Sequence, residues 1–408
     1  MHTRKRILFV ENGIGYGGAI ICLRHLVRNL DRTRFEPMVL TGRSGPLYRD
    51  IANDATWRCI PDRIIDVPAL RIRLDRHALP ARNRPLAWGL NQILSRIDDL
   101  VNFLPSLLRT LVLMLRWKPD MVHLNNEPLC NRAALLAAWL LRIPTVAHVR
   151  GEQRGSLLMH GLFRLPNRFV TVSDWIADGV RRIGVPATKI ERIYDGIELH
   201  KLDLHADGLS LRHQWGITPT AFTVGLVGLL IPWKGQPLFL EAGRSLLASN
   251  PDLVLVLVGG TPDECRDYEA GLHAQARQDP FRGRVYFAGH VQDMSAAYRA
   301  LDVVVSASTT PEPLGTVVIE SMTLARPLVA PAHGGALEMV EHERTGLLFE
   351  PGNAAALAAQ IQRLHDSQAL RATLGQAARQ KALQTFSIED HVKRIEAVFA
   401  HNLGQDIE

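Results

Sequence analysis

Cysteine is scarce. Cys22, Cys59, Cys130 and Cys265 are the only four in 408 residues, and no two stand in C-x-x-C spacing. That scatter excludes a zinc framework and a disulfide scaffold, and it makes a reducing compartment the expectation. Asp-x-Asp pairs are missing altogether, and no His/Asp/Glu cluster has metal-ligand spacing. Long apolar runs are lacking as well. The most apolar long segment, residues 98–117, is interrupted by Arg109 and ended by Arg116, short of the ~18 residues that a bilayer span needs. The opening MHTRKRILFV passes straight into a strand-like run with no room for a secretory apolar region. A cytoplasmic chain is expected, with contact at the inner face of a membrane as an option. Aromatic residues are only 6% of the chain, and none interleave with basic clusters in a nucleic-acid motif, so nucleic acid is not an expected partner.

What the chain has is length and alternation. At 408 residues it is long for one core, which favours two or three domains. Lys plus Arg at 47 against Asp plus Glu at 41 gives a net charge of +6, unevenly spread. Between residues 63 and 88 there are six arginines (63, 71, 73, 76, 82 and 84) and two acids, Asp66 and Asp75. Such a patch suits an anionic membrane surface or an anionic acceptor, and equally a solvated loop.

Short β-branched runs alternate with helical segments, the grammar of parallel sheets covered by helices. Strands are expected at 6–10, 37–40, 121–124, 145–149 and 169–172, and again at 223–227, 253–258, 285–288 and 302–306. Between the two sets lies a polar, weakly periodic stretch, 199–211. The resulting division is residues 1–200 and 201–386, two doubly wound Rossmann-like α/β domains, followed by a last helix over 387–408. Ser387 and Asp390 are spaced for an N-terminal cap on that helix. Within 97–117, Leu100, Phe103, Leu104, Leu107, Leu108, Leu111 and Leu115 share one helical face. That face is expected to pack on the first sheet, with interfacial membrane docking as the alternative.

The chemistry-bearing residues collect at the expected carboxyl ends of strands, where open parallel sheets bind ligands. Residues 306–322, SASTTPEPLGTVVIESM, hold Glu312 and Glu320 with seven residues between them. A loop with Pro and Gly leads to a helix, whose first N–H groups, on Gly315, Thr316 and Val317, are suited to a phosphate. Two carboxylates flanking an anion site suit a nucleotide sugar; the plain alternative is a loop acid and a helix-start acid. After the strand at 223–227, Lys234 follows in the segment Ile231-Pro232-Trp233-Lys234-Gly235, where an ammonium can neutralise a diphosphate leaving group. With no acid pair to hold Mg²⁺ or Mn²⁺, positive charge would come from side chains and helix ends.

In the first half, Gly13-Ile14-Gly15-Tyr16-Gly17-Gly18 matches G-x-G-x-x-G between a strand and a helix. As a dinucleotide fingerprint it lacks the acid expected at the end of the second strand, though Arg43 there keeps an NADP reading open. Ala147-His148-Val149-Arg150-Gly151 brings an imidazole and a guanidinium to a strand end. Asn125, Asn126 and Glu127 follow another strand end and are suited to binding hydroxyls.

These elements together resemble the retaining glycosyltransferases of family 4, with the two-domain GT-B fold. The likeness covers nearly the whole chain. It rests on Gly17-Gly18, His148, Val172-Ser173, Ile193-Tyr194-Asp195-Gly196-Ile197 and Lys234-Gly235. Further on it rests on Phe287-Ala288-Gly289-His290-Val291, the two glutamates, and His333-Gly334-Gly335. The resemblance implies two domains facing across a cleft, the last helix returning to the first domain, and hexosyl transfer from a nucleotide diphosphate sugar with retention. It implies no cofactor and no metal. Glu312 would bind the transferred sugar and Glu320 the ribose. Backbone groups at Leu314, Gly315 and Thr316 would hold the diphosphate, with Gly17 and Gly18 also on the donor, and Val291 would lie at the base. His148, Lys234 and Glu312 would be catalytic, while Asn125, Asn126, His148 and Arg150 would meet a glycan or lipid-linked glycan acceptor. The chain departs from the family where Leu229 stands in place of the usual arginine, so that another arginine such as Arg150 substitutes or donor turnover is weak. Asp195 replaces an asparagine. A nucleotide-sugar epimerase of the same fold and an NADP-dependent oxidoreductase are the competing activities, and a membrane-bound scaffold the non-enzymatic one.

Overall fold

The computed structural model describes residues 4–13, 18–67, 70, 84–152 and 157–404. The chain forms two compact units. One comprises Met1–Val172, Ile176–Ile193 and His391–Glu408, the other Ser173–Trp175 and Tyr194–Asp390.

The first unit is built on seven parallel strands: β1 (Lys5–Glu11), β2 (Phe35–Thr41), β3 (Thr56–Cys59), β4 (Met121–Leu124), β5 (Thr145–Val149), β6 (Arg168–Thr171) and β7 (Ile190–Arg192). Their order is β3-β2-β1-β4-β5-β6-β7. The order reverses between β1 and β4, so the loops after those strands diverge and open a crevice at the carboxyl edge. In β1, Ile7, Leu8, Phe9 and Val10 are all fully buried, because helices cover both faces of a parallel sheet. The second unit repeats the plan with β8 (Phe222–Val227), β9 (Leu253–Val258), β10 (Val285–Gly289), β11 (Val303–Val305), β12 (Leu328–Pro331) and β13 (Leu347–Phe349), ordered β10-β9-β8-β11-β12-β13. Here the strand period of two sorts one run into two cores. Leu253, Leu255 and Leu257 enter one cluster, and Val254, Val256 and Val258 the other.

Four strands lie outside the sequence expectation: β3, β7, β12 and β13. Each has only three or four residues, as do β4, β6 and β11, which the sequence does show. β3 and β7 are edge strands whose residues are half-buried or exposed.

The last helix, Ile388–Asn402, is capped by Ser387, whose Oγ accepts the Asp390 N–H at 3.1 Å. Phe399 then packs edge-on against Phe9 and Phe35, with ring centroids 6.0 and 5.8 Å away. That contact places the helix end on the first sheet.

The helix Arg84–Ile97 runs through a π turn at Asp98–Phe103 into the helix Leu104–Trp117. Two expectations change here. The continuous stretch Trp88–Trp117 is long and apolar enough by length and composition to cross a membrane, although Arg109 breaks its apolar run. And its leucine face is not simply packed on the sheet. Leu107 and Leu111 are partly buried against the first core, but Leu100, Leu104, Leu108 and Leu115 are exposed. The innermost positions are Asn102, Ser106, Thr110 and Met114. Asn102 accounts for part of this, since its amide accepts the Ile64 and Ile65 N–H groups and donates to the Ile65 carbonyl. A buried asparagine with these partners fixes the helix rotation and turns the leucines outward. Of the arginine patch, residues 71, 73, 76 and 82 lie outside the described residues, as does the side chain of Arg84.

Candidate active site

At the carboxyl edge of the second sheet the chain leaves β8, makes a short turn at Pro232–Lys234 and enters the helix Gln236–Ser249 through Gly235. Gly235 has φ 77°, and a Cβ there would sit 1.9 Å from the Ala307 carbonyl oxygen. Only glycine allows this approach, which presses the Lys234 turn against the loop after β11. Lys234 Nζ consequently lies 2.8 Å from Glu312 Oε2 and 4.5 Å from the centre of the Trp233 ring. Ser308 Oγ donates to the other oxygen, Glu312 Oε1. The Glu312 main chain is held too, since its carbonyl accepts the Gly335 N–H at 2.8 Å. Gly334, at φ 58°, passes so near that a Cβ would be 2.6 Å from the Glu312 oxygen. His333 Nε2 donates to the Ser308 carbonyl at 3.0 Å. One pocket is lined by Val227, Lys234, Ser308, Glu312, Gly315 and His333, among others.

Gly315 is the N-cap of the helix Thr316–Thr323. The amides of Thr316 and Val317 head this helix and have no acceptor within it, so the pocket meets a cation, a carboxylate and a positive helix end together. Glu320 stands one turn in. Tyr298 Oη donates to its Oε2 at 2.7 Å. Burial pushes the Glu320 pKa up to about 7, while the Tyr298 hydrogen bond pulls it back. Val291 and Leu314 are half-buried and pack on the second core cluster. At the departure point, the half-buried Leu229 offers its carbonyl to Gln236 Nε2 at 2.8 Å.

The carboxyl edge of the first sheet carries a buried polar chain. Glu11, at the end of β1, accepts the Gly13 N–H at 2.6 Å and a hydrogen bond from Asn125 Nδ2. Asn125 Oδ1 accepts from Arg150 Nη1, and Arg150 Nη2 lies 3.2 Å from His148 Nδ1. The His148 ring packs between those of His123 and His391, with centroids 5.4 and 5.8 Å away. Asn125 and His148 are fully buried and Arg150 is 9% exposed. Burial holds the His148 pKa well below its ordinary value, so the ring is neutral. Asn126 adopts a left-handed φ of 73°, and its carbonyl accepts the Arg150 N–H at 2.8 Å. Gly18 opens the helix Gly18–Asn29; Gly17 lies outside the described residues.

The structure therefore joins Lys234, Glu312 and Gly315 around one pocket in the second unit, and Asn125, His148 and Arg150 in one network in the first. Glu11, Ser308 and Tyr298 were not among the sequence candidates. Glu11 was legible as an acid closing a strand just before a glycine loop, and Ser308 lies inside the motif itself. Nothing local marks Tyr298, which is 22 residues from the glutamate it serves.

A model of the glycosyl transferase 4-like domain matches residues 17–196, and one of the glycosyl transferases group 1 matches residues 209–381. Among relatives, a glycosyltransferase of Bacillus subtilis, YtcC, is 29% identical over 296 residues, covering 69% of this chain and 72% of its own. The capsular polysaccharide biosynthesis glycosyltransferase CapM of Staphylococcus aureus is 24% identical over 349 residues, covering 80% and 90%. Among solved structures, Anabaena HepE in complex with UDP-glucose superposes with a TM-score of 0.78 at 23% identity, covering 97% of this chain and 99% of HepE. A glycosyltransferase from Rickettsia africae gives a TM-score of 0.82 at 16% identity, covering 99% and 100%. The fold is that of the GT-B glycosyltransferases. The chain belongs to the glycosyltransferases of group 1, of the family 4 type, and is a transferase.

Proposed function

We propose that the protein moves a hexosyl unit from a nucleotide diphosphate sugar to an acceptor hydroxyl, with retention and without a metal ion. The observation that carries this reading is the Lys234–Glu312 pair, 2.8 Å apart, beside the helix that starts at Gly315. As the bond from the anomeric carbon to the diphosphate oxygen breaks, its electron pair leaves on the diphosphate. Lys234 and the amides of Gly315 and Thr316 stabilise that charge where it grows. Glu312 receives hydroxyls of the transferred sugar, and Glu320 those of the ribose, with Val291 near the base. UDP-glucose bound to HepE supports the donor class, and CapM supports surface polysaccharide as the acceptor class. The acceptor lies at the loops after β4 and β5, where the half-buried Asn126 meets it and Asn125, Arg150 and His148 hold those loops from beneath.

Thermal shifts with UDP, GDP and ADP sugars and with NADPH test the donor, and proton NMR of the product tests the stereochemistry. The expected result is stabilisation by one nucleotide sugar and an anomeric signal matching that of the donor. Stabilisation by NADPH alone would overturn the reading. A freed epimer with no transfer would make the protein an epimerase.

A further inference from the structure

The stretch Trp88–Trp117 wears its apolar side outward. Ile93, Leu100, Leu104, Leu108, Val112 and Leu115 are all exposed, from 42% to 66%. At about 100° per residue these six fall within one arc of roughly 120°, and at about 1.5 Å per residue they form a stripe ~33 Å long. The opposite side is the buried one, with Asn102, Ser106, Thr110 and Met114. A helix on a water-facing surface has the reverse arrangement, and a contiguous apolar stripe marks a surface that meets something other than water.

The charges beside the stripe identify the occupant. Arg96, Arg109, Arg116 and Lys118 are exposed, and the same helical geometry puts Arg109 and Arg116 along one border of the stripe. The two acids of the stretch are already neutralised. Asp98 pairs with Arg132 at 2.8 Å, and Asp99 pairs with Arg96 at 3.2 Å. Leucines bordered by Arg109 and Arg116, which pair with no acid among the described residues, match the headgroup and acyl boundary of an anionic bilayer. A second copy in a two-fold contact would set these arginines against themselves.

We propose that this stretch docks the first unit onto an anionic lipid bilayer, lying in the plane of the interface. It lies there rather than spanning because Asn102 is hydrogen-bonded to the backbone at Ile64 and Ile65, which ties the inner side to the unit. The inference does not depend on which donor or acceptor the site uses.

Co-sedimentation with lipid vesicles, with no nucleotide sugar present, tests it. Vesicles of phosphatidylcholine with ~30% phosphatidylglycerol should pull the protein down at about 0.1 M salt, and at least tenfold more weakly at about 0.5 M salt or without the anionic lipid. The triple variant Leu100→Ser/Leu104→Ser/Leu108→Ser changes only exposed positions, so it should keep its circular dichroism spectrum while losing tenfold or more of its vesicle binding. Arg109→Glu/Arg116→Glu should lose the preference for anionic vesicles. Wild-type protein left in the supernatant with both vesicle types would overturn the proposal. So would a serine variant that sediments like wild type, or a wild-type dimer that the serine variant converts to monomer while vesicles bind neither.

Discussion

At the carboxyl edge of the second sheet, the Lys234 and Glu312 side chains keep 16% and 19% of their surface exposed. At the corresponding edge of the first sheet, Glu11 keeps 2%, and Asn125 and His148 none. The strand plan is the same in both units and the polar residues sit at equivalent ends of it, yet the two edges handle charge differently. A partly exposed ion pair can trade its partner for a ligand, because water already solvates part of each group. A buried chain running from Glu11 through Asn125 and Arg150 to His148 has no such freedom, since any rearrangement strands a polar group without a partner. The second edge is thus fitted to meet a changing charge, and the first to hold two loops still.

The most severe test of that contrast is Lys234→Ala. If the pair serves the transition state, kcat should fall by about 10²–10³, the scale for one preorganised donor, while donor affinity changes much less. Folding should be nearly intact, because Ser308 still holds Glu312. Steady-state kinetics with a urea melt would separate the two. A loss of stability without a loss of kcat would make the second edge a scaffold like the first.

For the first edge the expected casualty is stability. Glu11 must accept from both Gly13 and Asn125. Asn125 cannot turn its amide round without giving up the bond from Arg150. Glu11→Gln therefore sets one N–H₂ group against another donor and removes a buried negative charge that Arg150 stabilises. A cost of about 2–4 kcal/mol is expected, as for a broken buried charge network. It should appear as a lower urea midpoint with an unchanged slope. Wild-type stability in this variant would mean that the network relaxes freely, and the contrast between the edges would fail.

Much of this architecture is legible in the amino-acid sequence. The long central strands announce themselves because both faces are buried and the runs are uniformly apolar, as in Leu253–Val258. Shortness alone does not hide a strand, since β4, β6 and β11 are as short and are expected; β3 and β7 stay hidden because their residues are half-buried or exposed and form no apolar run. The donor motif was legible because Glu312, Gly315, Thr316 and Glu320 fall within nine residues of chain. The Lys234–Glu312 pair spans 78 residues, and no local pattern encodes a contact at that distance. The rotation of the helix after residue 97 is not legible in the sequence for a related reason. Its leucines share a face in sequence, but Asn102 bonds to a segment 37 and 38 residues away and decides which way that face turns.

The finest distinction lies within the second edge, between Glu312, which meets a lysine, and Glu320, which meets the Tyr298 hydroxyl. A carboxyl that titrates near 4.5 in the unfolded chain is pushed to about 7 at Glu320 by burial. Between those values the folded protein holds a proton that the unfolded chain has lost. Stability from this group is therefore greatest below about pH 4.5 and falls as pH rises through 7, by on the order of 3 kcal/mol in all. Glu320→Gln has no proton to lose, so its melting temperature should gain on the wild type from pH 5 to pH 8. Donor binding should run the other way. An ionised carboxylate accepts the ribose hydroxyls best, so the wild-type donor KM should improve as pH rises towards 7, and that of Glu320→Gln should stay flat. Tyr298→Phe removes the hydrogen bond that favours the ionised form. The KM profile should then shift to higher pH by about one unit, leaving KM at pH 7 roughly three- to tenfold worse with kcat little changed. If the Tyr298→Phe profile overlays the wild type, Tyr298 does not tune Glu320. If Glu320→Gln keeps the wild-type pH dependence of KM, the carboxyl does not meet the donor, and Glu312 alone carries the acid chemistry of this edge.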